Sequence, residues 1–573
     1  MKKIINLVVK HSWFLVGFLI TLSLLWPLFA ANYFSHHDDV QVIRLYEMNK
    51  CLEDNQLPCR WVPDLGGVYG YPLFNFYAPL SYYFGWLVYW LSHDLLLSAK
   101  AMFALPFVGA YIFMFLLGRK LWGEKGGAIS GLFYSLAPYH AVAFYVRGAM
   151  GEMWSLMFFP AIFWAIFRLK EAQTIMNIIL VSASLGLLIL SHNLSTMIFI
   201  PVILTWIALL TIFEKNKRFL KYFILSTILG FMLSAFYSFP MIMEKSLVHV
   251  ETTTSGYFSY TEHFKGLRKI FLDTTWGWGA SVREIPGGEK DGMSFQLGWV
   301  HTVAWLLALI VAKLLWVKNR KISILIGYLS FLAFFSIFMI NPKSEFIWKN
   351  IESLKFIQFP WRFLMLVIFF VSVLAGSIAL WPTNKFKKII PVAAIVLLAV
   401  FNFSFFRPEK FVSLSAQEML SGDNWDRLIK RSIFDFLPIY ALAPPAELAT
   451  SRYEVLTGEV EINNFKEGSN WVTFQADVKK HSIIRLSMYY FPQLEVLVDG
   501  KPTKIDYENS LGLVTFILGT GNHIIEAKLL DTPIRTFSNI VTLVSIIVFV
   551  FLVFISPRKT KNWLFYYLKG LRR

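Results

Sequence analysis

Two histidines and two aspartates stand together as His36-His37-Asp38-Asp39, a few residues past the first long apolar run of the chain. A carboxylate placed there can take the proton of an attacking hydroxyl as a general base, or ligate a metal. The acids also precede an amphipathic stripe of Val42, Leu45, Met48 and Leu52, so capping a helix is the competing role for one of them. A second charged pair, Arg147 and Glu152, lies in the short stretch from Tyr145 to Met153. Its carboxylate could join Asp38 on a divalent cation such as Mg or Mn, and its guanidinium could hold a phosphate bidentately. A local ion pair tying two helix ends together is the alternative. Ser191-His192-Asn193-Leu194 offers His192 for a phosphate contact and Asn193 as a helix cap. Phe359-Pro360-Trp361-Arg362 offers an arginine that either snorkels or binds phosphate. Trp276-Gly277-Trp278-Gly279 presents ring faces suited to stacking on sugars or to anchoring at an interface. Cys51 and Cys59 are the only cysteines, and a disulfide between them would stiffen the loop that carries Asp38.

The elements that must position these groups are mostly membrane spans. At 56% hydrophobic and 17% aromatic residues, the 573-residue chain is too apolar for an ordinary soluble protein. About twelve stretches approach spanning length: 12–31, 97–118, 127–145, 152–168, 174–191, 194–213, 219–240, 296–316, 321–341, 360–381, 387–406 and 535–556. The net charge of +17 is gathered in short clusters between them, such as Lys2/Lys3/Lys10, Arg119/Lys120/Lys125, Arg168/Lys170 and Lys318/Arg320/Lys321. With the tail residues Arg572 and Arg573, all fall on one side, which puts both termini in the cytoplasm and argues against nucleic acid. Residues 78–92 would invert this alternation as a span, so a helix lying in the outer interface is expected there.

The chain then divides into a helical core, 1–406, with outer loops at 32–96 and 241–295. An extracytoplasmic insert follows at 407–534, and a last span with a basic tail at 535–573. From Tyr453 the insert alternates apolar and polar residues, as in Val472 to Val478, and Asp499-Gly500 reads as a hairpin turn. A β-sandwich is expected there. No P-loop, dinucleotide fingerprint, zinc-protease motif or nucleophile elbow appears in a fitting context, and few charges fall mid-span, which counts against an ion-coupled pump.

The outer acid after the first span, the stretch Tyr71-Pro72-Leu73-Phe74-Asn75-Phe76-Tyr77-Ala78-Pro79-Leu80 and the Arg147…Glu152 loop resemble the GT-C glycosyltransferase superfamily. His37-Asp38, Asn55 to Trp61, Gly70 to Tyr77 and Phe359 to Arg362 are similar to a membrane family labelled 6-pyruvoyl-tetrahydropterin synthase-related. Tyr490-Phe491-Pro492 and Val498-Asp499-Gly500-Lys501 are similar to YfhO-type membrane proteins. The pterin label carries no function here, because the chain has no histidine cluster of that kind. The resemblance implies sugar transfer from a polyprenyl-phosphate sugar to a glycan or protein acceptor at the outer face, with inversion. Asp38 matches the first-loop acid, Asp39 is one residue out of register, and Glu152 stands where many relatives carry an aspartate. On this reading Arg147, Arg362, His192 and Lys245 serve the lipid phosphate, and Tyr77, Trp276 and Trp278 serve the sugar or acceptor. A flippase, or a scaffold for envelope polysaccharide assembly, is the non-enzymatic alternative.

Overall fold

The computed structural model describes residues 12–556 apart from 31, 215–216, 284, 286, 383 and 432–434. Lys2, Lys3, Lys10 and the tail arginines therefore lie outside the described residues. Among the described residues, six helices are long and apolar enough to cross a membrane, or seven if Arg218–Leu233 and Ala235–Met243, bent by 76°, form one span. Four further apolar helices, Ser12–Ser23, Ile175–Ser191, Trp299–Leu315 and Ile389–Phe405, are shorter. The expected apolar stretches are thus all helical, but about half fall short of spanning length on their own.

Two of those stretches share the single helix Leu95–Ser135, which breaks at Gly123 with φ 81° and ψ 180°. Only glycine takes that conformation freely. Beyond the break the chain folds back on itself, and small residues let the two halves touch. A Cβ added at Gly127 would fall 2.8 Å from the Phe115 carbonyl oxygen, and one at Gly131 would fall 2.8 Å from the Tyr111 ring. The basic residues Arg119, Lys120 and Lys125 bracket this reversal, at the bundle end opposite to Arg147 and Glu152.

The expected interfacial segment is the helix Leu80–Ser92, with Leu87, Trp90 and Leu91 exposed. At 13 residues it spans about 20 Å, too short to cross a bilayer. The insert carries an antiparallel sheet. A short pair, β1 (Tyr33–Phe34) with β2 (Phe411–Val412), first stitches the insert's start to the entry of the first outer loop. The six-stranded sheet follows: β3 (Tyr453–Glu467), β4 (Trp471–Tyr489), β5 (Leu494–Val498), β6 (Lys501–Pro502), β7 (Leu513–Leu518) and β8 (Gly521–Leu529). Strand β4 is shared: Trp471–Val478 pair β8, whereas Ser482–Tyr489 pair β7. Its inward side chains Phe474, Ala476, Val478, Ile484 and Leu486 are buried at the period-two spacing that alternation predicts.

Polar contacts dock this sheet onto the first outer loop. Trp471 Nε1 donates to Asp54 at 2.9 Å, and Arg452 Nη2 to Asp64 at 2.9 Å. Cys51 and Cys59 are joined in the same loop. The last helix, Pro533–Ile555, is pinned by a buried carboxylate. Glu244 accepts from Arg535 Nε at 2.9 Å, Thr532 Oγ1 at 2.5 Å and Asn75 Nδ2 at 2.8 Å. Removing one partner of a buried pair leaves the other charge stranded, at a cost of about 3–5 kcal/mol. Glu244→Leu is therefore expected to lower the unfolding temperature in detergent sharply, while Asp531→Asn, at the exposed edge of the same network, changes it little.

Candidate active site

One cavity of about 1020 Å³ opens at the bundle end opposite the basic turn. His37, Asp38, Asp39, Tyr77, Arg147, Glu152, His192, Lys245, Trp278 and Arg362 all line it. Residues from seven separate stretches of sequence are thus brought to one place.

The local backbone explains how Asp38 and Arg147 come to face each other. Val142–Val146 form a π turn, in which the Arg147 N–H reaches back to the Val142 carbonyl at 2.9 Å. The carbonyls of Val146 and Arg147 accept instead from the N–H groups of His37 (2.9 Å) and Asp38 (3.0 Å). Such a turn inside helical surroundings often marks a functional site. Gly148 follows with φ 62°, and any Cβ there would meet the His36 ring at 2.4 Å. His36 itself is enclosed among Tyr33, Phe34 and Phe103, and burial pushes its pKa down to about 4. It is a neutral wedge under the loop, outside the cavity lining.

Neither aspartate caps a helix. The helix Gln41–Glu53 starts after Val40 without a side-chain cap. The Asp38 carboxylate faces the cavity and accepts no hydrogen bond from the described residues. Enclosure by protein raises its pKa, while Arg147 and Arg44 pull the other way. Asp39 differs: Arg427 Nη1 binds its carboxylate at 2.6 Å.

Glu152 holds the centre. It accepts from Arg147 through Nη1 (2.6 Å) and Nη2 (2.8 Å), from Arg362 Nε (2.9 Å) and from Tyr139 Oη (2.9 Å). The local Arg–Glu pair is therefore real, and Arg362 joins it rather than snorkelling. The Arg147 guanidinium lies over the Trp361 ring at 4.6 Å, and Arg362 also donates to the Ile357 carbonyl at 2.7 Å. This occupancy corrects one expectation. Both Glu152 oxygens are taken by guanidinium groups, so the pair Asp38 and Glu152 does not fit a divalent metal. Among the described residues no group of three or more His, Cys, Asp or Glu is arranged to hold one.

His192, not Asn193, occupies the cap of the helix Asn193–Glu214. Its Nδ1 accepts the Ser195 N–H at 3.3 Å, and its carbonyl accepts from Thr196 N at 3.0 Å. Burial first, then Arg362, depress its pKa to about 3. The ring is thus neutral at physiological pH, with Nε2–H left as a donor. Lys245 lines the cavity beside Met241 and Ile242, 5.9 Å from the Phe356 ring centroid. Tyr77 lies beneath Arg44, whose guanidinium carbon is 4.3 Å from the ring centroid. Trp278 reaches the cavity because Gly277, Gly279 and Gly292 let two loop segments pass at van der Waals distance; a Cβ at Gly277 would meet the Gly292 oxygen at 2.3 Å. Its carbonyl is bonded to His37 Nε2 at 2.7 Å. Trp276 does not line the cavity. It stacks on Phe405 at 4.4 Å and belongs to the packing behind the loop.

Two residues that sequence reasoning passed over also line the cavity, Arg44 and Asp435. Arg44 stands one helical turn after Val40, within a stripe read only for its apolar members. Asp435 lies in the irregular stretch before β3, where no periodicity singled it out.

Unequal stability effects follow. Glu152→Gln breaks a buried pair and is expected to destabilise by about 3–5 kcal/mol. Asp38→Asn is expected to stabilise slightly at pH 7, because a carboxyl with a raised folded-state pKa loses stability as pH rises through that pKa. The gain shrinks as pH falls toward the ordinary carboxyl range. Thermal unfolding of both variants between pH 4 and pH 8 checks the order and the slope.

No family model matches the chain. An uncharacterized protein of Lactococcus lactis subsp. cremoris (strain MG1363) is 21% identical over 243 residues, so the match spans 41% of this chain and about two-fifths (40%) of that relative. Among solved structures, ArnT from Cupriavidus metallidurans bound to undecaprenyl phosphate aligns at 14% identity and a TM-score of 0.40, over 68% of this chain and 64% of that one. The arabinofuranosyltransferase AftD from Mycobacteria aligns at 11% and 0.45, over 70% and 28%. The oligosaccharyltransferase AglB of Archaeoglobus fulgidus, in complex with an inhibitory peptide and a dolichol-phosphate, aligns at 13% and 0.42, over 76% and 57%.

Proposed function

We propose that this protein is a GT-C-type membrane glycosyltransferase that moves a sugar from a polyprenyl-phosphate donor to an extracytoplasmic acceptor. The observation that carries this reading is one cavity in which an unbonded carboxylate, Asp38, faces a wall of cations. The acceptor hydroxyl attacks the anomeric carbon, and its proton passes to Asp38. The bond from that carbon to the phosphate oxygen breaks, and its electron pair leaves with the polyprenyl phosphate. Single displacement inverts the anomeric centre.

Asp38 suits the base better than Asp39, since Arg427 already engages Asp39. Its raised pKa makes the carboxylate a stronger proton acceptor than an exposed one. On the other wall, Arg147 and Arg362 share one negative charge, Glu152, so the trio keeps a net positive charge for the leaving phosphate. Lys245 and the neutral His192 Nε2–H add a second charge and a donor. Leu194, Met197, Met241 and Ile242 form an apolar border beside Lys245, a fitting seat for the first prenyl units. The finer sequence grouping, with YfhO-type and 6-pyruvoyl-tetrahydropterin synthase-related membrane proteins, belongs to this same reading.

Purified protein supplied with a panel of polyprenyl-phosphate sugars is expected to release polyprenyl phosphate, and Asp38→Asn to lower kcat by about 10²–10⁴-fold with undecaprenyl phosphate still bound. Lys245→Ala is expected to weaken binding of that lipid phosphate. Full turnover by both Asp38→Asn and Asp39→Asn would sink the mechanism.

A further inference from the structure

The stretch 407–450 is more than a connection to the sheet. Its described parts, 407–431 and 435–450, form a strap fastened beside the cavity at both ends. At its start, β2 pairs with β1, and Arg427 binds Asp39 at 2.6 Å. Trp425 meets Tyr46 edge-on at 6.0 Å. At its end, the His249 N–H donates to the Leu437 carbonyl at 3.0 Å, and the Ile439 N–H to the Leu247 carbonyl at 2.9 Å. Between these fastenings Phe436 stacks on Phe76, with ring centroids 5.9 Å apart and planes 17° from parallel.

The neighbouring Asp435 lines the cavity, within electrostatic reach of Arg44 and Asp38. The Asp435 carboxylate accepts no hydrogen bond from the described residues, although protein surrounds it. Burial pushes its pKa up to about 6; Asp38 acts in the same direction, and Arg44 opposes both. A carboxylate held this way, short of donors but open to a cavity, costs free energy unless a ligand supplies them.

We infer that Asp435 is an acceptor-binding carboxylate and that the acceptor it binds is a glycan, held through hydroxyl groups beside Asp38. The inference rests on the transferase reading above and narrows its acceptor. Two oxygens of one carboxylate accept from two neighbouring hydroxyls of a sugar ring, a match that a single serine or threonine side chain does not offer. Tyr77 and Trp278 line the same cavity and supply the ring faces that sugars stack against. With the lipid-linked donor assigned to Arg147, Arg362 and Lys245, the residues Asp435, Tyr77 and Trp278 are left for the acceptor.

The test uses the full-length protein with a labelled polyprenyl-phosphate sugar, and compares short oligosaccharides with serine- and asparagine-containing peptides as acceptors. Transfer to oligosaccharides is expected, and Asp435→Asn is expected to raise the acceptor KM about 10- to 100-fold, the effect of losing one charge-assisted hydrogen bond. Donor KM stays within about twofold, and Asp435→Glu restores part of the loss. Transfer to peptides alone, or a loss confined to kcat or donor KM, overturns the proposal. Absence of transfer by the wild type would reject the transferase reading itself, and a second measurement then judges Asp435 separately. Because Cys51 and Cys59 are joined, Asp435→Cys carries the only free thiol. A methanethiosulfonate reagent is expected to modify it, with an oligosaccharide slowing the reaction. An inert thiol, or one indifferent to the oligosaccharide, rules out a ligand-facing role.

Discussion

Two guanidinium groups, delivered by different helices, meet on one buried carboxylate, and the site is arranged around that meeting. Taking Arg147, Arg362 and Glu152 out of water is expensive, and the cost is offset only while every charge keeps its partners. Glu152 meets this condition with four donated hydrogen bonds and no oxygen left over. The start of the helix Met150–Glu171 is thereby locked to the start of the segment Pro360–Leu380. Because two cations share one anion, the locked unit also keeps a positive charge facing the cavity. Structural fixation and the positive face of the cavity come from the same three side chains.

Asp38 is aimed by backbone rather than by side chains. The π turn before Arg147 frees two carbonyls, and the first outer loop uses them to set His37 and Asp38 in register. The third loop is then added through the Trp278 carbonyl on His37, where glycines permit the close crossing. Each loop borrows its position from the one before. No side chain among the described residues bonds Asp38, whereas Asp39 and Glu152 beside it are both held by arginines.

Much of this arrangement was legible in the order of residues. A run of outer-face charges next to apolar stretches places Asp38, Arg147, Glu152 and Arg362 at one end of a helical bundle, and the period-two pattern after Tyr453 announces the sheet. What the sequence could not carry is pairing across long distances. Arg362 reads as a snorkelling residue until Glu152, 210 positions away, is seen to accept its Nε–H. Asn193 is the better cap by residue type, yet the imidazole before it takes the role. Trp276 and Trp278, two apart, would share a face in a strand, yet in this glycine-rich loop Trp278 lines the cavity and Trp276 stacks on Phe405. Asp435 lies in a stretch with no periodic signal, and only the assembled cavity shows it beside Asp38 and Arg44.

The strap gives this protein an order of assembly in time. Its pairing joins Phe34 to Phe411, and Asp435 stands roughly 400 residues after Asp38, about 20–80 s of ribosomal synthesis at typical rates. The helical core can enter the bilayer well before the strap exists. Until the later segment has been made, the cavity lining lacks Asp435 and Phe436, and Arg427 is not there to bind Asp39. A product truncated before Asp435 is left with an incomplete cavity wall.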